Sequence, residues 1–500
     1  MNILEAYNWL KNHSIETARL GSLAELAAWD QRTNIPPKGH ENRAEQMGFL
    51  ADLIHGRSVD KRIGDSLDIL SGDISVLEDV AAVNIKMWHR EYEREQKIPS
   101  ELAKELALLS AKGESIWEQG AKTGDYSSFF PVLKELVELS RNKAEAIGYK
   151  SEPYDALIDE YEPGVTCADI EQLFSGIKDP LVSLIDNIKS SSVSVDPLIV
   201  NNLFDVKAQK NFCEKIVKTI GYDMDAGRID EAVHPFTVSI GKGDVRITTR
   251  YNPNYFNSGI FGCIHEAGHA MYDQGLDIKH YGTPAGSFVS LGIHESQSRL
   301  WENMVGRSRG FWLFAYPIAQ EMFSPLKNVQ FNDFLRAVKA VSPGSIRVEA
   351  DEVTYNLHVL LRFEIERELF RGNLEVTDIE TVWNDKMQKY LGITPDNLKD
   401  GCMQDVHWSA GMFGYFPTYS LGNLYAAQLF AAARRELGDL DTQFAKGEFG
   451  SLLGWLRKNI HSKGQSLSAR ELVAQACGEQ PDSTYFIDHC NEGYAALYEL

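Results

Sequence analysis

The sequence predicts a mainly α-helical protein: a body of long helices around a deep central groove, with a small β-hairpin near the middle of the chain. Three observations carry this. Apolar residues recur at three- and four-residue steps over most of the chain, and one segment alone switches to two-residue alternation. No repeat period or low-complexity linker divides the 500 residues into pieces. Length alone suggests about three domains at ~150 residues each. Without linkers, residues 1–500 read instead as one unit of two interleaved halves, along which three parts follow: a helical N-terminal part (1–230), a motif-bearing part (231–430) and a helical C-terminal part (431–500).

Taken in order, segments 76–95, 126–147, 166–189 and 206–220 place apolar residues on one helical face with charges between them. Breakers fall between such segments: Pro36-Pro37, Pro99 before a helix capped by Ser100, Pro163-Gly164 and Pro343-Gly344. The exception begins at His234-Pro235. Phe236, Val238 and Ile240 alternate, Gly241-Lys242-Gly243 turns the chain, and Val245 and Ile247 resume the alternation, which predicts a hairpin over 235–250.

Composition excludes several classes of function. With 50 Lys+Arg against 71 Asp+Glu the formal charge is −21, which argues against a nucleic-acid binder. The N-terminus lacks the basic and apolar regions of a signal peptide, and no stretch of 18 apolar residues could span a membrane. Six scattered cysteines (Cys167, Cys213, Cys263, Cys402, Cys477, Cys490) without CxxC spacing read as reduced thiols in a cytoplasmic protein. Any metal site must therefore use histidine and carboxylate.

Such a site is legible in His265-Glu266-Ala267-Gly268-His269. Two histidines four apart on a helix project from one face and can hold a single ion, while Glu266 is turned to reach a water bound to it. A catalytic zinc needs a third protein ligand and an open position. Of the adjacent His294 and Glu295, Glu295 is preferred, because two histidines and a glutamate form the ligand set of zincins whose third ligand comes from a following helix. Glu295 lies 26 residues after His269, enough to cross a Gly/Pro loop and return. Asp273, one turn beyond His269, reads either as a partner behind the metal ligands or as a solvated helix carboxylate, the latter being favoured. Glu266 is the expected general base.

With four other segments these residues resemble the carboxypeptidase Taq family. Its six short motifs occur in order: His234-Pro235-Phe236; Asp244-Val245-Arg246-Ile247-Thr248; His265 to His269; His294-Glu295-Ser296-Gln297; Ile346-Arg347-Val348-Glu349-Ala350-Asp351; and Gly401-Cys402-Met403-Gln404-Asp405-Val406-His407-Trp408. The segment Leu26 to Gln31, with Pro36-Pro37 and Arg43 to Gln46, is also similar to that family, so the resemblance covers nearly the whole chain. It implies a Zn2+-dependent metallocarboxypeptidase, Co2+ being a possible substitute, that releases single C-terminal residues from peptides with broad specificity and disfavours C-terminal proline. It also implies a homodimer and an architecture similar to angiotensin-converting enzyme and neurolysin.

Further roles follow from the resemblance and from chemistry. Tyr419, by its spacing ahead of Leu424-Tyr425, resembles the oxyanion tyrosine of converting-enzyme-like peptidases, with Tyr415 the alternative. A terminal carboxylate calls for a guanidinium fork; Arg347 is the first choice and Arg246 the second, where a pairing with Asp244 or Asp351 competes. His407 and His234 are candidate substrate-binding histidines, His407 alternatively being held by Asp405 or Gln404 for packing. The hairpin edge offers main-chain groups to an extended peptide. Two other readings use the same residues: an endo- or dipeptidyl-peptidase, and a non-enzymatic peptide-binding groove with structural zinc. The intact Glu266 argues against the latter, since a structural site needs no general base.

Overall fold

Helix signals in the sequence become helices with few exceptions in the computed structural model, which describes residues 1–72 and 74–500. Four helices form an N-terminal layer: α1 (Ile3–Thr33), α2 (His40–Ser58), α3 (Lys61–Leu70) and α4 (Ala81–Lys97). Next come α5 (Ser100–Thr123), α6 (Phe129–Ile147), α7 (Pro153–Tyr161), α8 (Cys167–Ser190) and α9 (Val206–Ile220). A small sheet follows, β1 (Ile229–Glu231), β2 (Thr237–Gly241) and β3 (Asp244–Thr249). Beyond it run α10 (Phe256–Asp273), α11 (Leu291–Arg299), α12 (Arg309–Met322), α13 (Phe331–Val338), α14 (Glu352–Arg371) and α15 (Ile379–Leu391). The chain ends with α16 (Phe416–Leu437), α17 (Leu440–Phe444), α18 (Gly450–Asn459), α19 (Ala469–Cys477) and α20 (Thr484–Tyr498).

Local chemistry accounts for the boundaries. Asn2 with Glu5, Thr166 with Asp169 and Ser468 with Glu471 form reciprocal capping boxes on α1, α8 and α19. Two boundaries differ from expectation. The segment 76–95 becomes helical only at Ala81, because turns closed by Leu77 N–H on the Ile74 carbonyl and Ala81 N–H on the Glu78 carbonyl use the residues before it. Ser100 is the first residue of α5 and not its cap; Pro99, with extended backbone, occupies the capping position.

The predicted hairpin is β2–β3, antiparallel, with Gly243 in the left-handed region at φ 70°. The strand β1 adds to it in parallel, giving the order β1-β3-β2 and leaving β2 at an edge. Its three residues, Ile-Asp-Glu, are too few and too polar to show alternation.

One large core runs from α5 to α20, and α14 and α16 pass through it. Every residue from Glu352 to Phe363 is buried, so this stretch of α14 carries no polar face, whereas Glu364, Arg367, Glu368 and Arg371 beyond it reach solvent. The N-terminal layer has its own small core around Tyr7, Leu10, Ile63, Leu67 and Trp88, and α2 buries no residue at all. Trp29 packs on Val238 and Ile240, and the Ser22 hydroxyl donates to the Ile240 carbonyl, which ties α1 to β2. All six cysteines are free and buried. Among the described residues no helix is long and apolar enough to cross a membrane.

Candidate active site and metal centre

His265, Glu266 and His269 lie on α10 and Glu295 on α11, and two glycines set how closely these helices approach. An alanine methyl at Gly268 would lie 2.6 Å from Ser298 Cα, and one at Gly422 of α16 would lie 2.4 Å from Glu295 Cγ. Thus α11 is sandwiched between glycine surfaces of α10 and α16, which fixes Glu295 against the two histidines. Its N-terminus is held by the Ser290 cap and by Glu162, whose Oε2 accepts the Gly292 N–H at 2.8 Å.

The arrangement fits a divalent cation. One donor atom from each of His265, His269 and Glu295 lies within 4.8 Å of the others. Glu295 Oε2 is 3.3 Å from His269 Nε2 and 3.7 Å from His265 Nε2. A tetrahedral ion about 2.0–2.1 Å from each donor spaces its donors about 3.3 Å apart. Both imidazoles stay partly exposed, so the site is reached from solvent.

Outer partners fix the tautomers. The Nδ1–H of His265 donates to Glu302 Oε2 at 2.9 Å, leaving its Nε2 lone pair free. On the other side, Asp273 Oδ1 accepts from His294 Nε2 at 3.0 Å, so His294 Nδ1 is bare and takes the Nδ1–H of His269 at 2.6 Å. Both His294 nitrogens are thus engaged away from the triangle, and Asp273 is not the solvated carboxylate favoured from the sequence: through His294 it orients the ligand candidate His269. Burial pushes the Glu295 carboxyl up, but Arg299 and the two imidazoles outweigh it and hold it well below the usual range. Burial likewise opposes Arg299, His265 and Arg307 at Glu302, which ends at about 2.

Glu266 is oriented by a residue not anticipated from the sequence. Thr237 Oγ1 on β2 lies 2.7 Å from Glu266 Oε2, which leaves Oε1 available. The signal was present: alternation in the hairpin turns Thr237 to the face opposite Val238.

A second cluster adjoins the first through Tyr355, whose ring lies 4.3 Å from the Arg299 guanidinium and whose hydroxyl accepts Arg347 Nη1 at 2.9 Å. Arg347 is buried, donates Nε and Nη2 to Asp405 Oδ1 at 3.1 and 2.8 Å, and lies over the Tyr419 ring at 4.7 Å. Asp405 also receives Arg362 Nε at 2.7 Å, so one carboxylate faces two guanidiniums. His407 Nε2 is 3.1 Å from the Tyr419 hydroxyl, and the Tyr415 ring is 5.3 Å from the Tyr419 ring. Burial, aided by Arg347 and Arg362 against Asp405, pushes His407 down to about 3. Burial, reinforced by Glu295, raises Tyr415 to about 12 and, despite Arg347, raises Tyr419 further, so both phenols keep their protons. The loop bearing these residues is pinned by buried Glu366, which accepts Trp408 Nε1 at 2.7 Å, Gly414 N–H at 2.9 Å and the Tyr154 hydroxyl.

The structure thus brings Arg347, His407, Tyr415 and Tyr419 together beside the metal-ligand candidates. Arg246 is committed elsewhere, forked onto Asp244 at 2.8 and 2.7 Å and stacked on Trp29 at 4.3 Å. His234 is exposed where the chain enters β2.

The carboxypeptidase Taq (M32) metallopeptidase model matches residues 9–494. A thermostable carboxypeptidase 1 of Thermus thermophilus is 49% identical over 504 residues, covering 99% of both chains. Carboxypeptidase 1 of Bacillus subtilis is 38% identical over 502 residues, covering 99% of this chain and 100% of the relative. The crystal structure of the Deinococcus radiodurans carboxypeptidase of that family superposes with a TM-score of 0.96 at 35% identity, covering 99% of this chain and 100% of the other. The chain therefore belongs to the carboxypeptidase Taq family and is a metal-dependent carboxypeptidase.

Proposed function

We propose that this carboxypeptidase is a cytoplasmic zinc enzyme, with cobalt as a possible substitute, that removes single residues of broad type, proline excepted, from peptide C-termini. The observation that carries the reading is the triangle of His265, His269 and Glu295 with a separately oriented carboxylate, Glu266, beside it. When bound there, a divalent ion lowers the pKa of water and polarises the scissile carbonyl. Glu266 accepts the water proton and delivers it to the leaving amine, and the Thr237 contact keeps its other oxygen aimed. Tyr419, protonated and close to His407, donates to the oxyanion, with Tyr415 as the alternative donor.

Arg347 binds the terminal carboxylate. Asp405 cancels only one of the two guanidiniums it faces, so the cluster keeps a net positive charge for an anionic chain end. Arg246 serves instead as a brace between β3 and α1. His234, at the rim, contacts the substrate beyond the terminal residue. The free edge of β2 pairs with the peptide main chain, which makes binding tolerant of side chains. The whole chain works as one grooved unit of the converting-enzyme and neurolysin kind. It pairs as a homodimer through the exposed Leu23, Leu26, Phe49 and Leu53 of α1 and α2, a surface tested by light scattering of the F49E variant.

The test is hydrolysis of one peptide with a free or amidated C-terminus, with and without a chelator. Release of the last residue should vanish on chelation and on amidation, and the R347A variant should raise KM at least tenfold. Cleavage indifferent to amidation would overturn the assigned terminal-carboxylate subsite; unchanged kinetics in R347A would move the clamp elsewhere.

A further inference from the structure

Arg299 occupies a place that ion pairing for stability alone does not require. It lies one helical turn beyond Glu295, and its Nε donates to Glu295 Oε1 at 2.7 Å while its Nη1 donates to Glu302 Oε2 at 3.2 Å. The face of the guanidinium rests on Tyr355. Glu302 Oε2 also takes the Nδ1–H of His265, and its Oε1 faces Arg307 Nη2 at 3.3 Å. Two of the three ligand candidates, His265 and Glu295, are therefore joined behind the site through Glu302 and Arg299. The chain supplies Glu302 from a π-helical turn, Leu300–Val305, closed by Gly306 N–H on the Trp301 carbonyl at 2.8 Å. Such turns concentrate at functional sites, where they re-aim side chains.

A carboxylate can hold a divalent ion through one oxygen or two. In Glu295 the oxygens are already divided: Oε2 faces both imidazole Nε2 atoms, with the Ser298 hydroxyl 3.0 Å away, and Oε1 is held by a charged donor. Attachment through both oxygens would occupy the position a catalytic ion must keep open and would add negative charge, weakening its pull on water and on the substrate carbonyl. We propose that Arg299 is a positioning residue that restricts Glu295 to one-oxygen attachment and, through Glu302, sets the angle between Glu295 and His265. A guanidinium is required because the two carboxylates are reached by separate, divergent N–H groups; a lysine ammonium matches the charge but not the fork.

The inference rests on the ligand set proposed above. The test uses the full-length chain loaded with Co2+, whose visible bands are several-fold stronger in four-coordinate than in five- or six-coordinate sites. The wild type should give the strong four-coordinate spectrum. R299K and R299Q should still bind one cobalt per chain, with band intensity reduced about twofold or more and kcat reduced about 10–100-fold while KM changes less than about threefold. Circular dichroism checks folding, and should R299Q fail to fold, R299K alone carries the test. A wild-type spectrum and kcat in R299K would reduce Arg299 to a charge and overturn the inference alone. A wild-type chain that takes up no cobalt would overturn the ligand set and the inference together.

Discussion

The contact between α16 and α11 sets a quantitative test of how the proposed third ligand, Glu295, is placed. Replacing Gly422 by alanine puts a methyl 2.4 Å from Glu295 Cγ, 2.6 Å from its Cβ and 3.1 Å from its backbone carbon. Carbon atoms normally approach to about 3.5–4.0 Å, so the shortfall is about 1 Å or more. Rotating the Glu295 side chain removes only the first overlap, because the Cβ and the backbone cannot swing away. The two helices must part instead, at an overpacking cost of about 1–3 kcal/mol. A displacement of about 1 Å exceeds the tolerance of about 0.5 Å for a functional constellation. G422A should therefore lose about 10–100-fold in zinc affinity and about 100-fold in kcat, while its melting temperature falls by only a few degrees. Competition against a chromophoric chelator, peptide hydrolysis and calorimetry measure the three quantities. The control is Gly454→Ala on α18, where nothing lies within 4 Å of the added methyl and stability should be unchanged or raised by up to about 1 kcal/mol. If G422A keeps zinc affinity and kcat within threefold of wild type, close packing at Gly422 does not position Glu295.

Three further outcomes are expected. E266Q should retain stoichiometric metal by atomic emission and lose about 10²–10⁴-fold in kcat, and a smaller loss would assign the base elsewhere. Asp273→Ala frees His294 to turn and should weaken zinc binding about 10–100-fold, read by the same chelator competition. Glu366 is raised by burial to about 7, so its contribution is present below about pH 4.5 and is lost as pH rises through 7, a swing of roughly 3 kcal/mol. The amide in E366Q must place an NH2 against donors, a cost independent of pH; the stability gap to wild type should nevertheless move in the variant's favour between pH 4.5 and 8. A gap that stays constant over that range would count against the raised acid.

How much of this was readable in advance follows from the spacing of the interactions. His265 and His269 were legible because HExxH is a local pattern of one helical turn, and the helices of 126–147, 166–189 and 206–220 because each has one apolar face. By contrast residues 352–363 of α14 and 416–433 of α16 are buried almost all round and give no amphipathic signal. The Glu295–Arg299 pair could have been found by its four-residue step. Glu302 carries a like signal toward Arg299, three residues back, but none toward His265, which lies 37 residues away. Asp273 was misread because its partner, His294, lies 21 residues away and meets it only when α11 folds back on α10. The glycines were opaque for the same reason: nothing local in Gly268 or Gly422 says which backbone it faces.

Charge arithmetic links the two clusters and gives a last prediction. Around the ligand candidates, Glu266, Asp273, Glu295 and Glu302 contribute four formal negative charges and Arg299 and Arg307 two positive ones, a deficit matching one divalent ion. Around Arg347, two guanidiniums face the single carboxylate of Asp405, an excess matching one peptide carboxylate. Buried charges are tolerated when they are paired, so each cluster is complete only with its ligand. The acidity of the chain as a whole does not oppose this, because the positive excess is local and enclosed while the charge of −21 belongs to the entire sequence. Thermal stability should therefore rise in two steps. Zinc at 100 times its Kd should add about 2.7 kcal/mol, and a free amino acid at the same multiple of its own Kd a similar second increment, whereas the corresponding amino-acid amide should add none. An amide that stabilises as well as the acid would mean that the Arg347 cluster does not read the terminal carboxylate.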